Sequence, residues 1–409
     1  MNSIPRKLKG AYNKGKMVSK DKQSYYKSKL NFLLFLIVAF FTLVIFFAYF
    51  TILPHYVLVL GGSEFQSGLQ STLFFMLAVA LRFYFGPLAD EKGIRLTLLL
   101  SIIVFATASL FFLWSANIWS LLAARLYQAI GVAAFFPSGS SLVAAIAPAD
   151  RTGTYIGTYR LSMSAAIMVG PFLAEAIIAS RGYSAFFLSS FYLGAVALLL
   201  AFFVKTPPAN NLAKANYISK IMDICKDRGL WPPYQGIALS ALSFGILLTF
   251  TSLFIARTTQ VSNHGIYYTI FSLSGLVVNL GAGHLSDRLG RPAVLYPSLM
   301  ILGLGMSILY FLPGRPAIII ISGLIAGAGY AGSMSVGAAW IVDSVDTKTK
   351  TTALAMQENV IDLSVGLGSF IFGAITAWVG MGSSFFLSGA FILAGGAYFW
   401  KKHQHKYQL

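Results

Sequence analysis

The sequence is poor in charged residues and in the groups that catalyse reactions or hold metals. Asp, Glu, Lys and Arg make up 11% of its 409 residues, whereas a soluble domain carries about 25%. The single cysteine, Cys225, excludes an internal disulfide. His55 and His264 have no companions at metal-ligand spacing, and no nucleophile and base pair stands out. These absences predict a protein that is not an enzyme and that has no metal site and no cofactor.

A phosphate-binding sequence is also missing. The pattern Gly-x-x-x-x-Gly-Lys-Ser/Thr, which cradles the phosphates of a nucleotide, occurs nowhere in the chain. Residues 281–290 contain three glycines, but no strand is expected before them, so they do not predict a dinucleotide site. Nothing in this chain therefore supports an ATP-driven pump.

Apolar residues, in contrast, make up 57% of the chain. A hydrocarbon core about 30 Å thick requires about 20 helical residues, and the apolar runs have this length. Residues 30–60 are apolar on all sides, unlike an amphipathic helix of a soluble protein. We predict an all-α polytopic membrane protein with twelve transmembrane helices, which begin near Asn31, Phe65, Leu96, Ile118, Thr154, Phe186, Trp231, Tyr267, Pro292, Ala317, Thr352 and Phe385.

Positive charge predicts the orientation of these helices. The chain has 30 Lys and Arg against 13 Asp and Glu, a net charge of +17, and most of the basic residues fall on one side of the predicted membrane. Because cytoplasmic loops carry the excess of Lys and Arg, we place both termini in the cytoplasm and the protein in the plasma membrane. These residues lie beside the spans, so their predicted partner is anionic lipid and not nucleic acid.

The longest polar interruption divides the chain into two halves of six spans each. The predicted organisation is a basic cytoplasmic tail at 1–29, an N-terminal six-helix bundle at 30–204, a cytoplasmic linker at 205–230, a C-terminal six-helix bundle at 231–400 and a cytoplasmic tail at 401–409.

One loop sequence occurs in both halves. Positions 86–95 read GPLADEKGIR, and 197 residues later positions 283–292 read GHLSDRLGRP. Gly170 and Gly368 match at nearly the same offset. Internal duplication is common in transporters, because two similar bundles can rock about a site held between them.

The repeated loop is similar to the signature Gly-x-Leu-x-Asp-Arg-x-Gly-Arg-Arg of the major facilitator superfamily, and the resemblance covers all twelve predicted spans. It implies a secondary transporter built from two pseudo-symmetric six-helix bundles. The second copy matches better, because Glu91 and Ile94 stand in the first copy where the family usually has basic residues. The residues assigned to this cytoplasmic gate motif are Gly86, Asp90, Gly93, Arg95, Gly283, Asp287, Arg288, Gly290 and Arg291.

The residue types of the motif predict a mechanical role. The first glycine of each copy allows close helix approach, and the second allows a turn with positive φ. A carboxylate is favoured at a helix N-terminus, so we predict that Asp90 faces the start of span eleven and Asp287 the start of span five. The better second copy predicts a tighter seam between spans five and eight than between spans two and eleven. The alternative is a solvated loop that only sets topology.

Ionisable residues inside the spans are costly and usually functional. Arg125 and Glu175 lie at similar depths in neighbouring spans, and we predict that they pair. The full set assigned to proton coupling or to the central cavity is Arg125, Glu175, Arg160, Glu358, Asp362 and Arg82.

A second group lies nearer the predicted cytoplasmic side. Glu358 and Asp362 share a face of span eleven, with Arg82 in the adjacent span two, and the repeat sets Arg160 opposite Glu358. Which acid each arginine pairs with stays open. The alternatives are arginines that only extend to the membrane interface and acids that only stabilise a helix end.

Two further segments resemble signatures of proton-coupled drug exporters. Positions 125–131, RLYQAIG, are similar to the fourth-span signature Arg-x-x-Gln-Gly-x-Gly, whose arginine is associated with proton coupling. Positions 166–175, AIMVGPFLAE, are similar to the exporter signature Gly-x-x-x-Gly-Pro-x-x-Gly-Gly, in which the Gly-Pro step bends the helix. The glycines that this chain lacks are replaced by Ala129, Ala166, Ala174 and Glu175.

The leading hypothesis is proton-coupled export of a small organic molecule, a drug or a metabolite, by alternating access. The alternatives are proton-coupled uptake of an organic anion or similar solute, and an uncoupled facilitator or lipid flippase of the same fold. A channel would need a repeated filter element, which the sequence lacks. The predicted partners are the substrate and protons, and the chain is predicted to act as a monomer. Candidate cavity residues are Tyr159, Asn279, Tyr330, Trp340, Gln357 and Asn359.

Overall fold

The computed structural model describes residues 29–148, 151–207, 224, 226–346 and 349–404, without the side chains at positions 90, 152, 153, 351, 403 and 404. The predicted basic tail, apart from residue 29, most of the linker at 205–230 and the last five residues lie outside the described residues, as does Cys225. The predicted domain boundaries therefore stay predictions.

The described part of the chain is all-helical and contains ten helices that are long and apolar enough to cross a membrane. The first half contains α1 (Lys29–Val59), α2 (Glu64–Lys92), α3 (Ile94–Leu113), α4 (Ile118–Ile146) and α5 (Thr152–Phe203). The second half contains α6 (Trp231–Thr258), α7 (Ile266–Leu289), α8 (Arg291–Ile308), α9 (Ala317–Asp343) and α10 (Lys350–Gln404). Short 3-10 turns at Arg228–Leu230 and Leu309–Phe311 precede α6 and follow α8.

Polar caps and glycines mark the helix ends. The Ser63 hydroxyl accepts from the backbone of Gln66, whose side chain accepts in return from the Ser63 backbone, and this reciprocal capping starts α2. Asn117 caps α4 in the same way. Proline at positions 232 and 233 occupies the first turn of α6, where a missing N–H costs little.

Two helices are each interrupted once. α5 has 52 residues and is broken at Gly182, with φ 79° and ψ 176°. α10 has 55 residues and is broken at Gly380, with φ 77° and ψ 163°. Positive φ with extended ψ is essentially confined to glycine, so each break lies where the side chain is missing. The two breaks occupy equivalent positions in the two halves.

The repeat seen in the sequence is also a repeat of packing. A Cβ added at Gly170 in α5 would lie 2.8 Å from the Val44 backbone oxygen in α1. At the equivalent place in the second half, a Cβ at Gly368 in α10 would lie 2.3 Å from the Leu242 oxygen in α6. Each glycine thus lets two backbones touch, as small residues do between membrane helices.

The two halves meet along two seams. α2 packs on α10, and α5 packs on α7. In the first seam a Cβ at Gly68 would lie 2.3 Å from the Ser369 oxygen, and the Thr72 hydroxyl donates to the Gly366 oxygen at 2.8 Å. In the second seam a Cβ at Gly265 would lie 2.6 Å from the Phe172 nitrogen. The prediction that spans two and eleven, and five and eight, are neighbours is confirmed.

Candidate functional site

A buried ion pair joins the two halves across the α2–α10 seam. The Arg82 guanidinium on α2 donates through Nη2 to the Asp362 carboxylate on α10 and through Nη1 to the Asn359 side-chain oxygen at 3.0 Å. Arg82 is 3% exposed, and both of its partners are buried. The structure therefore answers which acid Arg82 contacts. Because both charges are removed from water, loss of either partner would leave the other charge buried and unpaired, which is strongly destabilising.

Glu358, Arg160 and two tyrosines surround this pair. Glu358 on α10 is half-buried and Arg160 on α5 is exposed, and they interact through their charges without a direct ion pair. Tyr159 is buried with an unpartnered hydroxyl, while Tyr330 stacks on Phe244 at 4.4 Å between ring centroids. Both tyrosines lie within electrostatic range of Glu358. Two phenols, an acid and an arginine from both halves thus converge on one region.

The other predicted cavity residues differ in burial and in contacts. Gln357 is 3% exposed and its side-chain oxygen has no hydrogen-bond partner. Asn279 on α7 is exposed and stays a candidate. Trp340 belongs to a buried apolar cluster and packs edge-on against Tyr296 of α8, with ring centroids 6.3 Å apart. Its indole ring packs between α9 and α8, and a role of Trp340 in the cavity stays a prediction.

Arg125 does not form the predicted pair with Glu175. Its side chain on α4 is 1% exposed, with Nη1 donating to the Gln128 oxygen at 2.5 Å and the guanidinium carbon 3.8 Å from the centre of the Phe74 ring. Its Nε and Nη2 have no hydrogen-bond partner. The aromatic face stabilises the cation in place of a carboxylate. Gln128 belongs to the same fourth-span signature as Arg125.

Glu175 instead lies in a cluster with two histidines and a serine. Its carboxylate accepts from the Ser252 hydroxyl at 2.8 Å, and its other oxygen lies 3.2 Å from His264 Nδ1. His55 Nε2 lies 2.8 Å from the Ser252 oxygen, and the His55 and His264 rings stack at 6.0 Å. The expectation that the histidines stand alone is wrong, because helix packing joins positions far apart in the sequence. We call these four residues the His-Glu cluster.

The first loop motif contains the predicted turn. Gly93 separates α2 from α3 and has φ 94° and ψ 145°. The Arg95 guanidinium donates to the Phe202 backbone oxygen at 3.1 Å, which joins α3 to α5 inside the first half. The Asp90 side chain lies outside the described residues, so its contact with the start of span eleven stays a prediction. Gly86 lies within α2.

The second loop motif has the same turn, with ion pairs beside it. Gly290 has φ 90° and ψ 148°, which confirms the positive φ expected of both loops. Asp287 pairs with Arg291 at 2.6 Å, and Arg291 also reaches Asp343 at 2.7 Å. Asp287 thus bonds to a cation of its own loop. Residues 149 and 150 and the side chains of 152 and 153 lie outside the described part of the chain, so the predicted contact of Asp287 with the start of α5 stays a prediction.

Two further residues of this loop lie in open surroundings. A Cβ at Gly283 would meet no atom within 4 Å, so the prediction that Gly283 allows close helix approach is wrong. Arg288 is exposed on the last turn of α7, where a cation is favoured by the helix dipole. Among the described side chains, the ion pairs of the second motif therefore lie within its own half.

A family model matches nearly the whole chain. The model for the Major Facilitator Superfamily aligns twice, with residues 34–262 and with residues 235–408. The chain belongs to the major facilitator superfamily. This is a family of multi-pass membrane transporters and not of enzymes, in agreement with the prediction from the sequence. The two alignments start at residues 34 and 235, which is close to the offset between the repeated loops and between the repeated packing contacts.

The curated relatives of this facilitator include drug exporters. A Lactococcus lactis protein named multi-drug resistance efflux pump PmrA homolog is 27% identical over 282 residues, 64% of this chain and 66% of that protein. The methylenomycin A resistance protein of Bacillus subtilis is 31% identical over 173 residues, 42% of this chain and 37% of that protein. The chain thus spans less than two thirds of either relative. Multidrug resistance protein MdtG of Salmonella arizonae is 22% identical, covering 87% and 90%.

Solved structures of facilitators share the fold. A bacterial homologue of the human lysosomal transporter Spinster, inward-facing and unoccupied, superposes with a TM-score of 0.78 at 16% identity, covering 93% of this chain and 96% of that one. The D-xylose-proton symporter superposes with a TM-score of 0.71 at 18% identity, covering 92% and 97%. At these identities the likeness concerns the fold alone.

Sequence reasoning missed His55 and Ser252 as functional candidates. Both are inside apolar helices, and neither belongs to a recognised motif. Ser252 follows His55 by 197 residues, which is the offset of the repeated loops. Equivalent positions near the axis between two repeats meet each other, so a search for polar residues paired at that offset would have found them.

Proposed function

We propose that this facilitator is a proton-coupled exporter of small organic molecules that works by alternating access between its two halves. The single observation that carries the proposal is the contact of Arg82 on α2 with Asp362 and Asn359 on α10. It joins the halves through charges buried in membrane-spanning helices. A rocking motion that separates the helices must break it.

The proposed topology has twelve spans, with both termini in the cytoplasm of a plasma-membrane protein. At about 1.5 Å per residue, α5 and α10 would each measure about 80 Å if straight, more than twice the hydrocarbon core. Each is broken once at a glycine, so each supplies two spans. The excess of Lys and Arg in loops on one side supports the orientation.

Proton coupling follows from what happens when the ion pair opens. While Arg82 contacts Asp362, the carboxylate is neutralised by a cation. Once the seam opens, Asp362 is left in the membrane interior without that partner, where a lone charge is costly. Uptake of a proton removes the cost, and release of the proton allows the pair to form again. Glu358, one turn away on α10, is a second carboxylate for the same step.

Export is supported by the relatives. Two of them carry multidrug resistance in their names and a third is a resistance protein for one antibiotic. Weak binding of varied apolar cations fits a region with Tyr159 and Tyr330 beside Glu358, because phenol rings and an acid attract cations. The substrate class proposed is therefore cationic or neutral and aromatic.

The experiment is transport by the purified chain in proteoliposomes with an imposed pH gradient. A panel of cationic drugs, sugars and organic acids is tested with and without the gradient, and then with Asp362→Asn and the control Arg315→Gln, which changes an exposed arginine outside every assigned site. We expect gradient-driven transport of at least one organic cation, lost in Asp362→Asn but not in Arg315→Gln. Transport that is equal with and without the gradient rejects proton coupling.

A second candidate function is uptake of an organic anion. It is favoured by Arg125, whose Nε and Nη2 are buried without a partner. Such donors are available to a carboxylate that enters from a substrate. Accumulation of organic acids and not of cations in the same assay, abolished by Arg125→Gln, would select this candidate.

A further inference from the structure

The His-Glu cluster brings three metal-binding side chains together at the junction of the halves. His55 comes from α1 and Glu175 from α5, while His264 comes from the loop before α7. One ligand atom from each lies within 4.8 Å of the other two. Glu175 is 8% exposed and the histidines are partly buried. The arrangement is thus enclosed, and it exists only when both halves are in contact.

The donor atoms match one class of ion. Two imidazoles and one carboxylate are common protein ligands of catalytic zinc sites, where water holds a fourth position. The 3.2 Å between His264 Nδ1 and the Glu175 oxygen is close to the separation of two ligands on a tetrahedral zinc ion, about 3.3 Å from Zn–N and Zn–O bond lengths. Mg²⁺ and Ca²⁺ prefer sets of oxygen ligands, so imidazole selects against them.

One imidazole nitrogen of the cluster has no hydrogen-bond partner. His264 Nδ1 is buried and close to the Glu175 carboxylate, but its geometry is not that of a hydrogen bond. The Ser252 hydroxyl donates to Glu175, so His55 must donate to Ser252. The serine therefore orients both an imidazole and the carboxylate, which is the part that outer-shell residues play around metal ligands.

We propose that His55, Glu175 and His264 form a binding site for a divalent transition-metal ion of the zinc class, which clamps the two halves together at this end of the molecule. The ion neutralises the buried Glu175 charge and replaces the loose His264 contact with a bond. Since its ligands come from both halves, a bound ion favours the conformation in which they touch and opposes the one in which they part. Zinc is thus an inhibitor of transport and is neither a substrate nor a catalyst.

The segment that carries His264 is fixed to α5 by contacts of its two neighbouring residues. Asn263 donates to the Phe172 backbone oxygen at 3.0 Å, and Gly265 allows α7 to start against α5. Neighbours on both sides of His264 are therefore fixed to the helix that carries Glu175. A ligand set placed by two such contacts needs little rearrangement on binding, which favours affinity.

Binding is tested with the purified full chain without a polyhistidine tag. Zinc uptake is measured by competition with a chromophoric indicator, and the melting temperature is recorded with Zn²⁺ and with Mg²⁺. We expect one Zn²⁺ per chain and a higher melting temperature with Zn²⁺ but not with Mg²⁺. His264→Asn and His55→Asn should each weaken binding at least about tenfold, and Ser252→Ala about 10- to 100-fold.

The matched control is His284→Asn, because His284 is an exposed histidine on α7 far along the helix from the cluster. It should bind zinc as the unchanged chain does. Equal zinc affinity in the unchanged chain, His264→Asn and His55→Asn would overturn the proposal, as would no binding at all. If one histidine variant fails to fold, the other decides. In proteoliposomes, Zn²⁺ should inhibit the unchanged chain and His284→Asn but not His264→Asn.

Discussion

Arg82 donates to Asp362 and Asn359 from a position that solvent scarcely reaches. A buried pair of this kind adds little stability compared with an apolar pair of the same shape, but removing one partner leaves a lone charge behind. The effect of each residue on the free energy of unfolding therefore depends strongly on the presence of the other. This asymmetry can be measured.

The measurement is a double-mutant cycle in detergent. We expect Arg82→Met and Asp362→Leu each to lower the free energy of unfolding by about 3–5 kcal/mol, and the double variant to recover most of that loss. Thermal unfolding of the three variants gives the coupling. Arg95→Met, which removes an exposed arginine bonded to the Phe202 oxygen, is the control and should cost little. Single losses that simply add in the double variant would contradict the interdependence.

The partners of the membrane charges show where sequence reasoning stops at this scale. Position along the chain gives the depth of a side chain, and depth was enough to group Arg82 with Asp362. It does not give rotation about the helix axis. Arg125 and Glu175 have similar depths, yet Arg125 faces Phe74 and Glu175 faces Ser252. The predicted pairing rests on similar depth in neighbouring spans, and it fails because neither gives the direction in which a side chain leaves its helix.

At the scale of elements, two glycines of the second loop motif allow backbone strain to be measured without any effect of packing. Gly290 has φ 90°, whereas Gly283 is a helical residue of α7, and a Cβ at either would meet no atom within 4 Å. We expect Gly290→Ala to destabilise the protein by about 1–2 kcal/mol, because an L-residue is strained there. Gly283→Ala should stabilise it by about 0.5–1 kcal/mol, because alanine favours the helix. Thermal unfolding of both variants measures the difference, and equal effects would refute the account.

The seams between the halves invite a second test on elements. A Cβ at Gly68 would lie 2.3 Å from the Ser369 backbone oxygen, which cannot move without moving α10. We expect Gly68→Ala to lower the free energy of unfolding by about 1–3 kcal/mol through overpacking. Gly281→Ala, where a Cβ meets nothing within 4 Å, is the matched control. A Gly68→Ala protein as stable in thermal unfolding as the control would show that the seam is loose.

The same seams correct one expectation from the sequence. The better-formed loop motif lies in the second half, and it predicted a tighter seam between spans five and eight. In the structure, the α2–α10 seam has the buried Arg82–Asp362 pair and the close Gly68 contact, and Asp287 bonds within its own half. Motif quality reports family membership. These contacts of the α2–α10 seam come from Gly68, Arg82 and Asp362, none of which belongs to the motif.

For the molecule as a whole, the internal repeat was the most informative feature of the sequence. It predicted two halves and equivalent turns at Gly93 and Gly290, and it matched Gly170 with Gly368, two glycines that the structure places in equivalent helix packing. All of these depend on local chain geometry that duplication preserves. The contacts between the halves are different, because the two copies have diverged at the residues that meet. Neither the His-Glu cluster nor the Arg82–Asp362 pair is matched by residues of the same charge at the equivalent positions of the repeat.

Alternating access at the scale of the whole molecule requires the α2–α10 seam to open during each cycle. Thr72 donates to the Gly366 oxygen across it, and a Cβ at Gly366 would lie 3.5 Å from the Thr72 Cα, so the two positions are in direct contact across the seam. In a Cys225→Ser background, Thr72→Cys with Gly366→Cys should cross-link under oxidation and stop transport, and reduction should restore it. Each single cysteine variant is the control. Full transport by the cross-linked protein would mean that the halves do not part here, and the substrate path would then have to lie along the α5–α7 seam.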